Sequence, residues 1–350
     1  MINSEALVAL CEQHWYDSAL SMINLRVQQG DQDPAILEAQ LLARVAQRVL
    51  SLDAEDFEEL SEQVADRPWA GRLSACGFPR GPRDEHRGAL GSLVPLYQLM
   101  LEVLNLRSER GEPQALVVTA HLIGEYLCQL AWEQQLGHGG DPLQLAGQVG
   151  ERWGTDDPAC PHNSAMRATA KRALNASAGD QVGFTSYLDK FHSRLGDTLA
   201  VCAMNHLTIE AGERPDVGPT CPNPCQWALV GGRDTRRDLD ARLRLALIYL
   251  DSPLVALRHH APVGHFFGVP SVAEISEGWL RTWQKLTVQW PDGSNPLIGV
   301  APVDSHEALP GLSGLISTVA GHRVGEGSLL REIGDDIIAA LRKAEDWPSE

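Results

Sequence analysis

Apolar residues at helical spacing, cut repeatedly by proline and glycine, constrain this chain more than any other feature. Residues 4–29 carry Leu7, Leu10, Ala19, Leu20, Ile23 and Val27, and Gly30-Asp31 ends the run. Pro34, tolerated in a first helical turn, opens a second segment through Leu37, Leu41, Val45 and Val49. Asp53, Asp56 and Phe57 start a third, whose acidic first turn suits the helix dipole. Residues 93–110 and 113–136 read as two strong helices joined at Gly111. The breaker Gly137-His138-Gly139-Gly140-Asp141-Pro142 stops the second. Farther on, 164–175, 181–212, 236–250, 272–286, 309–320 and 328–344 read as helices. Trp279 and Trp283 form a core-facing i, i+4 pair, and Leu330, Ile333, Ile337 and Leu341 make one stripe.

Composition agrees. Leu and Ala dominate a 43% hydrophobic fraction and aromatics make up only 6%, whereas strands draw on Val, Ile, Tyr and Phe. The expected fold is mainly α: a multi-helix bundle or helical-hairpin array. A few short strands are expected in the C-terminal third, at 226–230 and 297–303. The hairpin containing Tyr16-Asp17-Ser18-Ala19 and Pro34 has no second copy, so it reads as an ordinary helical hairpin and not a repeat. Loop-rich connections divide the chain into N-terminal helical hairpins (1–80), a central helical body (90–224) and a C-terminal α-rich region with short strands (225–350).

The net charge of −17 argues against general affinity for nucleic acid or an anionic membrane, which need a positive field. Arg233, Arg236, Arg237, Arg242 and Arg244 are interleaved with Asp234, Asp238 and Asp240, the pattern of a solvated helix face laced with ion pairs. No basic stretch leading into an apolar core follows Met1. The best apolar run, 116–132, is interrupted by His121, Glu125 and Gln129, short of the roughly 20 residues a membrane helix needs. Seven scattered cysteines suit reduced thiols. A cytoplasmic protein is expected, with protein partners and no nucleic-acid or membrane partner.

The sharpest chemical signal is two proline-bounded ligand pairs, Cys160-Pro-His162 and Cys221-Pro-Asn-Pro-Cys225. Zinc prefers four tetrahedral nitrogen and sulfur ligands, commonly drawn in pairs from separate loops. Pro161, Pro222 and Pro224 would pre-set those turns. A zinc held by Cys160, His162, Cys221 and Cys225 would have a closed coordination sphere and be structural. The bland alternative is turn cysteines, since neither spacing is Cys-x-x-Cys.

Other pairs are weaker. His121 and Glu125, like His206 and Glu210, are four apart on a helix face, and Asp189 and His192 are three apart. Such pairs serve as ligands or as a base with its orienting carboxylate, but they also occur commonly on ordinary helix surfaces. His192 and His206, 14 residues apart, would lie roughly 21 Å from each other on one helix and cannot share a site. His259, His260 and His265 sit in a proline-broken segment that lacks a carboxylate. Gly231-Gly232 and 137–141 read as turns and caps. Cys128 and Cys202 lie on apolar helix faces as inert thiols. No nucleophile elbow, His-Glu-x-x-His, P-loop, dinucleotide fingerprint or calcium loop occurs.

The leading functional expectation is an intracellular helical scaffold or adaptor for protein–protein assembly, stapled by structural zinc. One alternative is a metal-assisted hydrolase or oxygenase using His121, Glu125, His259, His260 and His265 between the central and C-terminal helices. A second is a small-molecule sensor domain. A large apolar pocket beside convergent polar groups would favour either alternative over the scaffold.

Overall fold

The computed structural model of the chain describes residues 4–149, 164–192, 233–260, 268–291, 293–299 and 307–345. Helices α1 (Ser4–Glu12), α2 (Tyr16–Gln28) and α3 (Pro34–Leu50) come first. A 3-10 turn at Ala54–Asp56 leads into α4 (Phe57–Gln63), and the short α5 (Ala70–Ala75) and α6 (Gly88–Gly91) follow. The central pair is α7 (Val94–Glu109) and α8 (Pro113–Glu125). Next come α9 (Leu127–Leu136), α10 (Pro142–Val149), α11 (Ser164–Ser177) and α12 (Gln181–Ser186), the last running into a π-helical turn at Tyr187–Phe191. The later helices are α13 (Arg233–Leu250), α14 (Pro253–Ala256) with a 3-10 turn at Leu257–His260, α15 (Val272–Leu286), α16 (Leu312–Ala320) and α17 (Leu329–Glu345).

The two ends of the described chain pack together. Helix α17 lies along α3 and also touches α1. Its stripe of Leu330, Ile333, Ile337 and Leu341 is wholly buried, and α3 buries Ile36, Ala39, Ala43 and Ala46. Each fully buried leucine or isoleucine contributes roughly 1.5–3 kcal/mol relative to exposure. Polar ties fix the register: Tyr16 donates its hydroxyl to the Leu330 carbonyl (3.2 Å), and Trp69 donates its indole N–H to Asp336 (2.9 Å). Packing therefore runs across the sequence order of hairpins, central body and C-terminal helices.

Helix ends are capped across the fold as well as locally. Asp33 accepts from the Ala35 amide (2.8 Å) to start α3, with Pro34 at its first position. The buried Glu102 of α7 accepts from the Leu330 and Arg331 amides (3.1 and 2.9 Å) at the start of α17. Glu133 of α9 accepts from the Leu93 amide (2.8 Å) just before α7. Free amides at a helix start are satisfied by carboxylates that sequence order places far away.

The stretch Pro113–Leu136, read from sequence as one helix, is broken at Tyr126 (φ −106°, ψ 2°). The Tyr97 hydroxyl donates to the Ile123 carbonyl (2.7 Å) and the Tyr249 hydroxyl to the Ala120 carbonyl (2.9 Å). These phenols engage carbonyls in the turn where the helix bends. Gly124 permits it, since a Cβ there would stand 3.3 Å from the Tyr249 ring of α13. By length and composition this stretch would also suit a membrane span, but 72% of its apolar window is buried inside the bundle.

Two expectations are corrected. Among the described residues there is no strand. At 297–299, where one was expected, Asn295 builds a turn instead: its side chain accepts from the Leu297 amide (3.0 Å) and donates to the Leu286 and Val288 carbonyls (both 2.8 Å). Gly299 follows at φ +88°. An Asx turn of this kind supplies locally the bonds a ladder would give. The other expected strand, 226–230, lies outside the described residues. The second correction concerns α13. The i, i+4 pairs Arg242–Asp238 and Arg244–Asp240 form at 2.9 Å, yet Arg242 is only 1% exposed. Its guanidinium reaches the carbonyls of Ala131, Val319 and Ala320, joining α9, α13 and α16. Trp279 and Trp283 do pair as expected, their rings 5.6 Å apart.

Candidate functional site

The break at Tyr126 ends α8 on Glu125, one turn after His121. His121 Nε2 lies 2.9 Å from Glu125 Oε1. The 3-10 turn after α14 packs on α8 and brings Arg258 Nη1 to 2.5 Å from the same Nε2. One ring nitrogen cannot donate to a carboxylate and accept from a guanidinium at once. Glu125 and Arg258 therefore compete for His121, and the tautomer of the ring decides which is held.

The π-helical turn at Tyr187–Phe191 delivers the fourth member. His192 Nε2 sits 3.8 Å from Glu125 Oε2, and its backbone carbonyl accepts from the Gln129 side chain. His192 is 7% exposed, and among the described residues no side chain hydrogen-bonds its ring nitrogens; the backbone of Leu188 and Tyr187 interacts with the ring. Its ring stacks on Tyr126, centroids 4.4 Å apart and planes 21° from parallel. The hydrogen bond from His121 holds the Glu125 carboxyl below its usual range; burial opposes this, and the charges of His121, His192 and Arg258 reinforce it. Burial lowers His192, with Glu125 and hydrogen bonds to the backbone of Leu188 and Tyr187 pulling the other way. The result is a half-buried carboxylate between two imidazoles, an arrangement that can hold a proton at either ring.

Tyr126 also lines a cavity of about 270 Å³ together with Leu52, Ala54, Phe78, Leu96, Met100, Leu122 and Leu188. Asp53 and Glu55 contribute its acidic lining. Phe78 tilts against Tyr126 with ring centroids 5.6 Å apart. Leu52 is held at φ +55°, a left-handed conformation that a bulky residue rarely adopts. It closes the end of α3, where the Leu52 amide reaches Val49 O (3.0 Å) and the Asp53 amide reaches Arg48 O (3.1 Å). Glycine is usual in that position, and leucine there costs roughly 1–2 kcal/mol. The strained turn places Leu52 among the residues that line the cavity.

Of the residues singled out from sequence, His121 and Glu125 meet as their spacing allows. His259 lies exposed on the Leu257–His260 turn. The side chain of His260 and the whole of His265 lie outside the described residues. So do all four zinc-ligand candidates, Cys160, His162, Cys221 and Cys225, and His206, Glu210, Cys202, Gly231 and Gly232. Among the described residues no group of three or more His, Cys, Asp or Glu is arranged to hold a metal. Asp189 does not partner His192; it lies exposed beside Lys190 at 3.3 Å. Gly137 to Asp141 serves as a cap, with Gly137 at φ +73° ending α9 and Asp141 accepting from the Leu143 amide (2.9 Å). Cys11, Cys76 and Cys128 are buried thiols, and burial pushes Cys11 and Cys76 up to about 12. Sequence reasoning missed the joining of His192 and Arg258 to the first pair. The only signal for either was His192 itself, read with the wrong carboxylate.

No known protein family, curated protein or solved structure matches this chain.

Proposed function

We propose that the protein is a small-molecule-binding helical protein in which occupancy of the apolar cavity is read out at the His121–Glu125–His192–Arg258 cluster. One observation carries this: Tyr126 belongs to both places, lining the cavity and stacking on His192 at 4.4 Å. A ligand pressing on that ring changes the packing of the imidazole and so its distance from Glu125, now 3.8 Å. Glu125 then redistributes between His192 and His121, and Arg258 follows. Apolar pockets beside groups with perturbed titration are the usual form of a ligand site.

The metal-assisted reading has less support. Arg258 already lies against the His121 nitrogen that a metal would need, and a guanidinium repels a second cation. The scaffold reading is the competing outcome of the test. The test is NMR of the histidine ring signals during titration with indole, a probe of suitable bulk. The His192 signals are expected to shift saturably, and Ala54→Leu, which fills the cavity, should abolish the shift. Signals that stay unmoved at millimolar indole would remove the ligand reading and leave the adaptor.

A further inference from the structure

The cavity opens beside a second hollow of opposite character. A groove of about 370 Å³ is lined by Glu55, Glu58, Glu59, Glu62, Asp84 and Glu85, together with Arg80. Glu55 lines both, so the apolar cavity and the acidic groove meet at one residue. Their charges are not equally available. Asp53 is paired with Arg48 at 2.5 Å. Arg80, the single cation among the described lining residues of the groove, is itself held by Asp56 and lies 3.6 Å from Glu59. Asp84 accepts from the Gly81 amide (2.8 Å). The exposed side chain of Glu55 is the carboxylate left at the junction, its backbone carbonyl accepting from Arg80 Nε (3.1 Å), and Glu58 and Glu62 also line the groove.

From this we infer that the ligand of the proposed site is a hydrophobic amine, its apolar body in the cavity and its ammonium at Glu55 facing the acidic groove. The inference rests on the ligand reading above and adds the chemical class. Three features select that class. The cavity wall offers Leu52, Phe78, Leu96, Met100, Leu122 and Tyr126, which suit an aromatic or alkyl body. The volume equals about nine water molecules at liquid density, the bulk of one aromatic ring with a short chain. Every uncompensated charge at the mouth is negative, so an anionic ligand would meet repulsion and a neutral one would gain nothing there.

The test is calorimetric titration of the full chain at low ionic strength with three probes of one shape: 2-phenylethylamine, 2-phenylethanol and phenylacetate. The amine is expected to bind about two- to fivefold more tightly than the alcohol, the scale of an exposed ion pair, and the carboxylate weakest of all. Glu55→Gln lies on an exposed turn and leaves the fold intact; it should bring amine and alcohol to about equal affinity, as should added salt. Equal binding of amine and alcohol to the unaltered protein would overturn the amine assignment. So would an amine affinity indifferent to Glu55→Gln. If indole moves the His192 signals while the amine shows no preference, only the ligand class is wrong. If neither indole nor any of the three binds, the pocket reading falls with it.

Discussion

Tyr126 and His192 stack nearly face to face, 4.4 Å between ring centroids, although 66 positions separate them in the chain. The contact joins the break between α8 and α9 to the π-helical turn that follows α12. It sets the imidazole against Glu125, and it is the physical link between the apolar cavity and the polar cluster. A stacked pair of this kind contributes about 0.5–1.5 kcal/mol beyond its buried area. A double-mutant cycle of Tyr126→Leu and His192→Leu, read by urea denaturation, should therefore give a coupling in that range. Strict additivity would mean the rings are merely neighbours.

His138 is fully buried, and its Nδ1 accepts from the Gly140 and Asp141 amides (3.0 and 3.1 Å). Burial lowers it from 6.5 to about 4, with Asp141 opposing. The unfolded chain takes up the proton first, so stability is full above pH 6.5 and falls as pH drops toward 4. The loss reaches about 3 kcal/mol at the lower limit. His138→Asn keeps an acceptor near the same place and does not titrate. The difference in unfolding free energy between wild type and variant should change by that order between pH 7 and pH 4.5. A constant difference would show that His138 keeps its proton equilibrium on folding.

Glu102 has the opposite sign. Burial raises its carboxyl above the ordinary 4.5, against the two amides it caps. The folded state keeps the proton to higher pH, so this group's contribution is greatest below about pH 4.5 and declines as pH rises through the folded value. Glu102→Gln should flatten that part of the profile. Glu102→Ala, which strands the Leu330 and Arg331 amides, should cost about 1–3 kcal/mol at neutral pH. An alanine variant as stable as wild type would show that the cross-fold cap is dispensable.

Cys160, His162, Cys221 and Cys225 predict one zinc per chain, a proposal that rests on their spacing alone. Elemental analysis of protein purified without chelators should find it. Cys221→Ser should lose both the metal and thermal stability, because structural zinc binding is folding energy. Metal-free protein from such a preparation would refute the site.

Much of the helical content was legible because it is local. The spacing of Leu330, Ile333, Ile337 and Leu341 states which face of α17 is buried, and Trp279 with Trp283 does the same for α15. The break at Tyr126 was not legible, since it depends on hydroxyls from Tyr97 and Tyr249 on other helices. Nor was the burial of Arg242, whose carbonyl partners come from α9 and α16. The strand expected from 297 onward fails at its start because the Asn295 side chain takes the Leu297 amide into a turn.

For the candidate site, i, i+4 spacing alone could place His121 beside Glu125, because one helical turn brings such residues within reach. The chain by itself thus determined the mainly helical fold, the buried stripes and this one pair. Only the tertiary structure brought His192 and Arg258 to the pair and set Tyr126 between them and the cavity. Those contacts join segments far apart in sequence, and no local periodicity records which distant loop will fill a given space. Packing of whole helices chose them, through the broken turn at Tyr126.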